Sequence, residues 1–156
     1  MPDVLVILGS KSNLEIGRRV MEVLERFRID SRMVVASAHR SPDRVKGLVE
    51  VSDARVFIAV AGLSAALPGA VAALTTRPVI GVPVSGKVNL DSILSMVQMP
   101  PGIPVASVGL DRGENAALLA VSILSLSDDE LESRLLDYRR EMADKVISES
   151  EEVERE

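Results

Sequence analysis

The sequence predicts a single α/β domain built on an open parallel β-sheet with helices on both faces. Short apolar runs recur along the 156 residues, and each is followed by a small loop and then by a segment of helical period. Strands that are apolar at every position are buried on both faces, which is typical of parallel sheets. Because strands and helices alternate through short connections, the sheet is expected to be doubly wound, with strand order 2-1-3-4-5.

The first two strands and their helices occupy the N-terminal third of the chain. Residues 4–8 are consecutively apolar, and helical spacing follows from Ser12, where an S-x-x-E sequence has the form of a capping box. A second strand is expected over residues 31–36. Ser41, followed by proline and an acidic residue, then predicts the start of a short helix that ends near Val51.

The same alternation continues to the C-terminus. Strands are expected over residues 55–61, 78–84 and 103–108, and helices over residues 70–74, 90–99, 115–126 and 127–147. The last helix carries an apolar stripe and is predicted to dock on another surface, which we expect to be a neighbouring subunit. Residues 148–156 form an acidic tail, of which residues 149–156 are predicted to fray. Residues 1–156 are therefore interpreted as one domain.

The composition excludes several classes of function. The net charge is -5 and the chain has two Phe, one Tyr and no Trp, so it lacks the basic face and stacking aromatics of a nucleic-acid-binding protein. With no Cys and one His, a metal centre is not expected. The sequence shows neither a membrane-spanning apolar run nor a basic signal-peptide start, which predicts a cytoplasmic protein. The apolar fraction of 47% favours an oligomer interface.

The strongest candidate for chemistry is His39, the one histidine of the chain. In doubly wound sheets, ligands bind at the carboxyl ends of the strands where the strand order reverses. For the predicted order, the loops of residues 9–13, 37–42 and 61–69 should converge there. A side chain that titrates near neutral pH, beside the permanent cation of Arg40, suits proton transfer on a small anion. A lone histidine is more often structural, but this predicted position favours catalysis.

The first two loops have the composition of an anion site. Gly9 allows a tight turn, Ser10 and Ser12 lie near a helix start, and Arg40 can bind a phosphate or carboxylate through two hydrogen bonds. The alternatives are an ordinary serine cap and a solvated arginine. The third loop is small and apolar, which leaves room for a ligand against its backbone. The alternative there is close packing of helix on sheet.

Six motifs resemble those of the catalytic subunit of phosphoribosylaminoimidazole carboxylase, the family of N5-carboxyaminoimidazole ribonucleotide mutases. They are Gly-Ser-x-Ser, Ser-Ala-His-Arg-x-Pro, Ala-Gly-x-x-Ala-x-Leu-Pro-Gly, Pro-Val-Ile-Gly-Val-Pro-Val, Leu-Asp-Ser-Ile-Leu-Ser-Met-Val-Gln-Met-Pro and Gly-Ile-Pro-Val-Ala, in that order within residues 4–147. The resemblance implies a flavodoxin-like three-layer α/β/α fold, a role in de novo purine biosynthesis and a homo-octamer. It also implies a nucleotide substrate, carbon dioxide as the transferred group, and no cofactor.

The same resemblance implies the roles of the loop residues. His39 would be the catalytic acid-base, and Ser10, Ser12 and Arg40 would bind the 5′-phosphate of the nucleotide. The full substrate-binding set is Gly9, Ser10, Ser12, Asn13, Ser37, Ala38, Arg40, Ala61, Gly62, Leu63, Ala66 and Leu67. The predicted reaction converts N5-carboxyaminoimidazole ribonucleotide into 4-carboxy-5-aminoimidazole ribonucleotide, by decarboxylation of the exocyclic amine and recarboxylation at ring carbon C4.

Three departures from the family pattern leave alternatives open. Asn13 stands where aspartate is usual, Ala66 where many bacterial members have a second histidine, and residues 85–89 form a shortened loop. One alternative is direct carboxylation of aminoimidazole ribonucleotide with carbon dioxide, and another is a paralogue that carboxylates a different heteroaromatic nucleotide. A flavin carrier or phosphoacceptor module is disfavoured, because aromatics are scarce and the first loop lacks an acidic pocket. The third-loop motif favours the mutase.

Overall fold

A computed structural model describes residues 2–156, and within them the chain forms one five-stranded sheet of order β2-β1-β3-β4-β5. Every strand pair is parallel. The strands are β1 Val4–Leu8, β2 Ser31–Val35, β3 Val56–Ala61, β4 Val79–Pro83 and β5 Ala106–Ser107. The predicted flavodoxin-like fold and its strand order are thus confirmed.

Helices cover both faces of the sheet. They are α1 Leu14–Arg26, α2 Pro42–Glu50, α3 Leu67–Ala72, α4 Asn89–Val97, α5 Gly113–Ser125 and α6 Asp129–Val153. One core joins the sheet to α1, α5 and the start of α6, and a second joins it to α2, α3 and α4. Across residues 2–156 no helix combines the length and apolarity that crossing a membrane would require.

The strands divide their side chains between these two cores. Along β1, Val4, Val6 and Leu8 belong to the core under α1 and α5, whereas Leu5 and Ile7 belong to the other. Successive side chains of a strand point to opposite faces, so a strand covered on both sides must be apolar throughout. This explains why the central strands appear in the sequence as unbroken apolar runs.

The register of the three central strands brings their loops together. Leu8, the last residue of β1, pairs with Val35 at the end of β2 and with Val60 near the end of β3. Parallel strands in this register place the loops that follow them at one edge of the sheet. The switch point lies between β1 and β3, as the predicted order requires.

The start of α1 differs from its predicted form. The capping box expected at Ser12 is absent, because a 3-10 turn over Lys11–Asn13 precedes the helix and Ser10 caps that turn. The Ser10 hydroxyl accepts the backbone N–H of Ser12 at 3.3 Å. The serine that satisfies the free N–H group is therefore two residues earlier than predicted, and both hydroxyls remain at the end of β1.

The third helix and the fifth strand also differ from the predictions. The third helix begins at Leu67 and not at residue 70, because Pro68 occupies its first turn, where a missing N–H costs nothing. The fifth strand is only two residues long, whereas residues 103–108 were expected. Pro104 cannot donate a ladder hydrogen bond, which shortens this edge strand.

The C-terminal helix α6 packs on its own chain only over its first half. Leu131 is buried in the core, Arg134 donates to the Phe27 carbonyl oxygen at 2.8 Å, and the ring of Tyr138 meets Phe27 edge-on at 5.5 Å between centroids. Residues 139–156 are exposed, and the helix runs to Val153, past its predicted end at residue 147. Docking of this helix on a neighbouring subunit stays a prediction, now for its exposed half.

Candidate active site

One pocket of about 390 Å³ lies at the carboxyl ends of β1, β2 and β3. Its lining contains His39 and all twelve residues predicted to bind substrate. The lining residues are Gly9, Ser10, Ser12, Asn13, Ser37, Ala38, His39, Arg40, Ala61, Gly62, Leu63, Ala65, Ala66 and Leu67. The structure thus brings the predicted residues together, while their individual roles remain predictions.

The first loop supplies a pair of hydroxyl groups and a close backbone approach. The Gly9 N–H donates to the Val60 carbonyl oxygen at 2.9 Å, which fastens the loop to β3. The Ser12 hydroxyl donates to the Ser10 hydroxyl oxygen at 3.0 Å. These two side chains therefore act as one polar cluster at the N-terminal end of α1, where backbone N–H groups favour anions.

The contacts of Asn13 explain why asparagine suits this position, where aspartate is usual in the family. Its side chain is only 7% exposed, and its Nδ2 donates to the Val60 carbonyl oxygen at 3.4 Å. A carboxylate cannot donate a hydrogen bond, so an ionised aspartate would face that carbonyl with a second acceptor. The amide thus ties the first loop to the end of β3 without placing a negative charge in the pocket.

The second loop is closed by hydroxyl groups that hold His39 at its apex. The Ser41 hydroxyl accepts the Ser37 N–H at 2.9 Å and donates to the Ser37 carbonyl oxygen at 3.2 Å. The Ser37 hydroxyl in turn accepts the Arg40 N–H at 3.1 Å. Ser41 was predicted to cap α2, but it makes no side-chain cap hydrogen bond and fixes this turn instead. His39 is exposed to solvent at the pocket.

Arg40 connects the first and second loops. Its Nη2 donates to the Gly9 carbonyl oxygen at 3.0 Å and its Nε to the Ser37 hydroxyl at 3.4 Å. Among residues 2–156, the cations that form salt bridges with carboxylates do not include Arg40. Its positive charge is therefore held in place at the pocket and is open to an anionic ligand.

The third loop forms the apolar wall. Ala61, Ala65 and Leu67 are buried, with 6%, 1% and 2% of their surface exposed. Leu63, which also lines the pocket, is 85% exposed. Ser64 between them has φ of 55°, a left-handed conformation that side chains rarely adopt, and its N–H donates to Asp91 Oδ2 at 2.5 Å. The carboxylate of α4 thus holds this wall from outside the pocket.

The first and second loops make the pocket polar and cationic, and the third loop makes it apolar. The lining contains no acidic residue and no cysteine, and within residues 2–156 no cluster of three or more His, Cys, Asp and Glu side chains could hold a metal ion. The chemical resources of the pocket are a histidine, an arginine, hydroxyl groups and a small apolar surface. These can bind an anion, transfer a proton and enclose a small apolar molecule.

Sequence reasoning missed two residues of the site. Ala65 lines the pocket but was absent from the predicted set, although its position in a small apolar loop could have indicated it. Asp91 lies in a motif that carried the family resemblance, and no local signal connects it with Ser64, which is 27 residues away. Only the tertiary fold brings Ser64 and Asp91 together.

Comparison with known proteins places this pocket in a chemical context. The family model of AIR carboxylase matches residues 3–145. An N5-carboxyaminoimidazole ribonucleotide mutase of Methanocaldococcus jannaschii is 52% identical over 151 residues, covering 96% of each chain, and one of Thermotoga maritima is 42% identical, covering 99% of this chain and 93% of that one. The crystal structure of Treponema denticola PurE has a TM-score of 0.88 at 30% identity and covers 96% of each chain.

Proposed function

The chain belongs to the AIR carboxylase family, and we propose that it converts N5-carboxyaminoimidazole ribonucleotide into 4-carboxy-5-aminoimidazole ribonucleotide in de novo purine biosynthesis. It is an enzyme of the mutase class and acts on a small nucleotide. The observation that carries the proposal is the meeting of His39, Arg40 and the small third loop in one pocket. A proton carrier, an anion site and an apolar wall are the three parts that this reaction needs.

The proton balance of the reaction explains why one histidine suffices. When the carbamate loses carbon dioxide, its C–N bond breaks and the amine nitrogen gains a proton. When C4 attacks carbon dioxide, a C–C bond forms, and the ring regains aromaticity by losing the C4 proton. We infer that His39 donates the first proton as imidazolium and accepts the second as imidazole, so it ends in its starting state.

The apolar wall suits the intermediate of this reaction. Carbon dioxide is small, uncharged and easily lost to water, so it must stay beside C4 until the new bond forms. Ala61, Ala65 and Leu67 give an apolar surface on a different loop of the pocket from Arg40. A site of low polarity also favours the loss of carbon dioxide, because the carbamate anion and the imidazolium are converted into neutral amine, carbon dioxide and imidazole.

The anionic end of the substrate matches the polar side of the pocket. The 5′-phosphate would accept hydrogen bonds from Ser10, Ser12 and the free N–H groups of Arg40. That placement fixes the nucleotide at its far end and leaves the ring to reach His39 and the third loop. The remaining lining residues then contact the ribose and the ring. No cofactor is needed for any of these steps.

We also propose that the enzyme is a cytoplasmic homo-octamer. The exposed apolar residues form stripes that nothing within residues 2–156 covers: Leu90, Leu94 and Val97 on α4, and Met142, Val146 and Ile147 on α6. Such stripes on well-formed helices are typical of subunit interfaces. A phosphorylated substrate, which does not cross membranes freely, supports the cytoplasmic location.

A truncated chain tests the assembly. A chain that ends after Glu141 keeps the contacts of α6 with Phe27 and Arg26 but loses the exposed apolar half of the helix. We expect sedimentation velocity to show an octamer for the full chain and a smaller species for the truncated one. Circular dichroism should show that the truncated chain keeps the helices that remain in it. An octamer in both would exclude the end of α6 from the interface.

The carboxyl donor tests the function itself. Purified enzyme is supplied either with N5-carboxyaminoimidazole ribonucleotide or with aminoimidazole ribonucleotide plus bicarbonate, and formation of the C4-carboxylated product is followed. We expect the first substrate to be converted much faster at low bicarbonate. Equal or faster conversion of the second pair would identify a direct carboxylase instead, and no product from either would contradict both assignments.

A further inference from the structure

The Leu-Asp-Ser motif at the start of α4 makes a contact that the proposed mechanism does not use. Asp91 lies outside the pocket lining, yet its Oδ2 accepts the N–H of Ser64 at 2.5 Å. Ser64 is in the middle of the third loop, which forms the apolar wall. The contact therefore joins the first turn of α4 to the wall that would retain carbon dioxide.

Ser64 has a backbone conformation that requires such support. Its φ of 55° is left-handed, and for a residue with a Cβ this conformation is unfavourable unless the surroundings hold it. The next residue, Ala65, donates its N–H to the Gly62 carbonyl oxygen at 3.0 Å and is 1% exposed. A relaxation of Ser64 would therefore turn Ala65 out of the wall.

Asp91 itself is held on a rigid part of the fold. The neighbouring Ser92 is 1% exposed and donates its hydroxyl to the Val84 carbonyl oxygen at 3.1 Å. Val84 in turn donates its N–H to the carbonyl oxygen of Ala61 at 3.0 Å. The motif thus fastens α4 to the end of β3, the strand from which the third loop emerges, and the carboxylate reaches the middle of the loop.

We propose that Asp91 is a positioning residue that keeps the third loop closed around carbon dioxide between the two half-reactions. The inference rests on the proposed mutase function. A hydrogen bond to a carboxylate is stronger than one to a neutral acceptor, so the strength of the acceptor at position 91 sets how firmly the wall is held. When the wall opens, the carbamate still loses carbon dioxide and gains a proton, but the gas escapes and free aminoimidazole ribonucleotide is released.

This role is tested by measuring how much substrate becomes C4-carboxylated product and how much is released as free aminoimidazole ribonucleotide. N5-carboxyaminoimidazole ribonucleotide is supplied at low bicarbonate, and the C4-carboxylated product and free aminoimidazole ribonucleotide are quantified, after subtraction of the loss without enzyme. We expect the released fraction to rise in the order wild type, Asp91→Asn, Asp91→Ala, because asparagine keeps a neutral acceptor and alanine keeps none. For Asp91→Ala the rise should be about tenfold, the scale of one charge-assisted hydrogen bond.

A second measurement does not depend on turnover. Hydrogen exchange of the Ser64 amide, followed by mass spectrometry, should accelerate in the same order of variants. Asp129→Ala is the matched control, since it removes an exposed carboxylate from the first turn of α6 and changes the net charge equally. It should leave both the released fraction and the Ser64 exchange at their wild-type values. A loss of stability alone would lower the amount of active enzyme without changing the partition.

The outcomes separate this inference from the proposed function. A wild-type released fraction in Asp91→Ala would overturn the inference and leave the mutase assignment intact. If the wild-type enzyme forms no C4-carboxylated product from either donor, the proposed function has failed. In that case the hydrogen-exchange rate of the Ser64 amide tests whether Asp91 holds the loop. Faster exchange in Asp91→Ala would support that role, and an unchanged rate would contradict it.

Discussion

Replacement of His39 by asparagine is expected to lower turnover about 10²- to 10⁴-fold, the usual contribution of a positioned acid-base group. Asparagine keeps hydrogen-bonding capacity but does not titrate near neutral pH, so both proton transfers lose their carrier. No second histidine exists in the chain to replace it. His39 is exposed and makes none of the hydrogen bonds that close its loop, so folding and nucleotide affinity should stay near wild type.

The proton transfer at C4 can be measured separately from carboxyl transfer. Aminoimidazole ribonucleotide is incubated with enzyme in deuterated water without bicarbonate, and the exchange of its C4 proton is followed by NMR. The wild type should accelerate this exchange and His39→Asn should not. Near-normal turnover in the variant, or exchange at the wild-type rate, would assign the acid-base role to another group.

A loop variant separates the chemistry of His39 from its placement. Ser41→Ala removes the hydroxyl that closes the second loop on Ser37 but leaves the imidazole in the chain. Its turnover should fall between wild type and His39→Asn, because the histidine is present but less well positioned. A variant at Ser41 as inactive as His39→Asn would indicate that the loop shape, and not proton transfer, limits the reaction.

The sheet, and the edge of the sheet at which the pocket lies, could be predicted because local sequence patterns determine them. An unbroken apolar run such as residues 4–8 identifies a strand that is buried on both faces, and the expected parallel order then places the loops after β1, β2 and β3 together. The structure has this register, since Leu8 pairs with Val35 of β2 and with Val60 of β3. The convergence of His39 and Arg40 on one pocket follows from this topology alone.

Contacts between distant segments could not be predicted in the same way. The hydrogen bond from Ser64 to Asp91 joins the third loop to the first turn of α4 across 27 residues, and no periodicity or spacing encodes it. The cap at Ser10 was misplaced because a 3-10 turn and a capping box have similar local composition. These features depend on how a loop closes against the rest of the fold, which the pattern of a short window does not contain.

The sequence does contain a signal for the length of α6. Lys145 and Glu149 form an i,i+4 ion pair across residue 147 at 3.7 Å, and Glu151 pairs with Arg155 at 3.4 Å. Pairs at this spacing stabilise a helix by a few tenths of a kcal/mol each. The acidic composition favoured fraying, but the placement of the two cations extends the helix to Val153.

Replacement of Arg40 by alanine is expected to weaken nucleotide binding by about 2 to 3 kcal/mol, the scale of hydrogen bonds between a cation and a phosphate. The reason is that the guanidinium is fixed by the Gly9 carbonyl oxygen and the Ser37 hydroxyl and carries no carboxylate partner within the described residues 2–156. Binding is measured by calorimetry with the C4-carboxylated nucleotide and with the nucleoside that lacks the phosphate.

Comparison of the nucleotide with the nucleoside tests whether the phosphate is the group that Arg40 binds. The nucleoside should bind equally weakly to wild type and to Arg40→Ala, whereas the nucleotide should distinguish them. Arg44→Ala is the matched control, because Arg44 is also exposed, is one helical turn away, and directs its Nε to the Val35 carbonyl oxygen at 3.0 Å. It should retain wild-type affinity for both ligands. If Arg40→Ala still prefers nucleotide over nucleoside as strongly as wild type does, the phosphate binds elsewhere in the pocket, and Ser10 and Ser12 must hold it without the arginine.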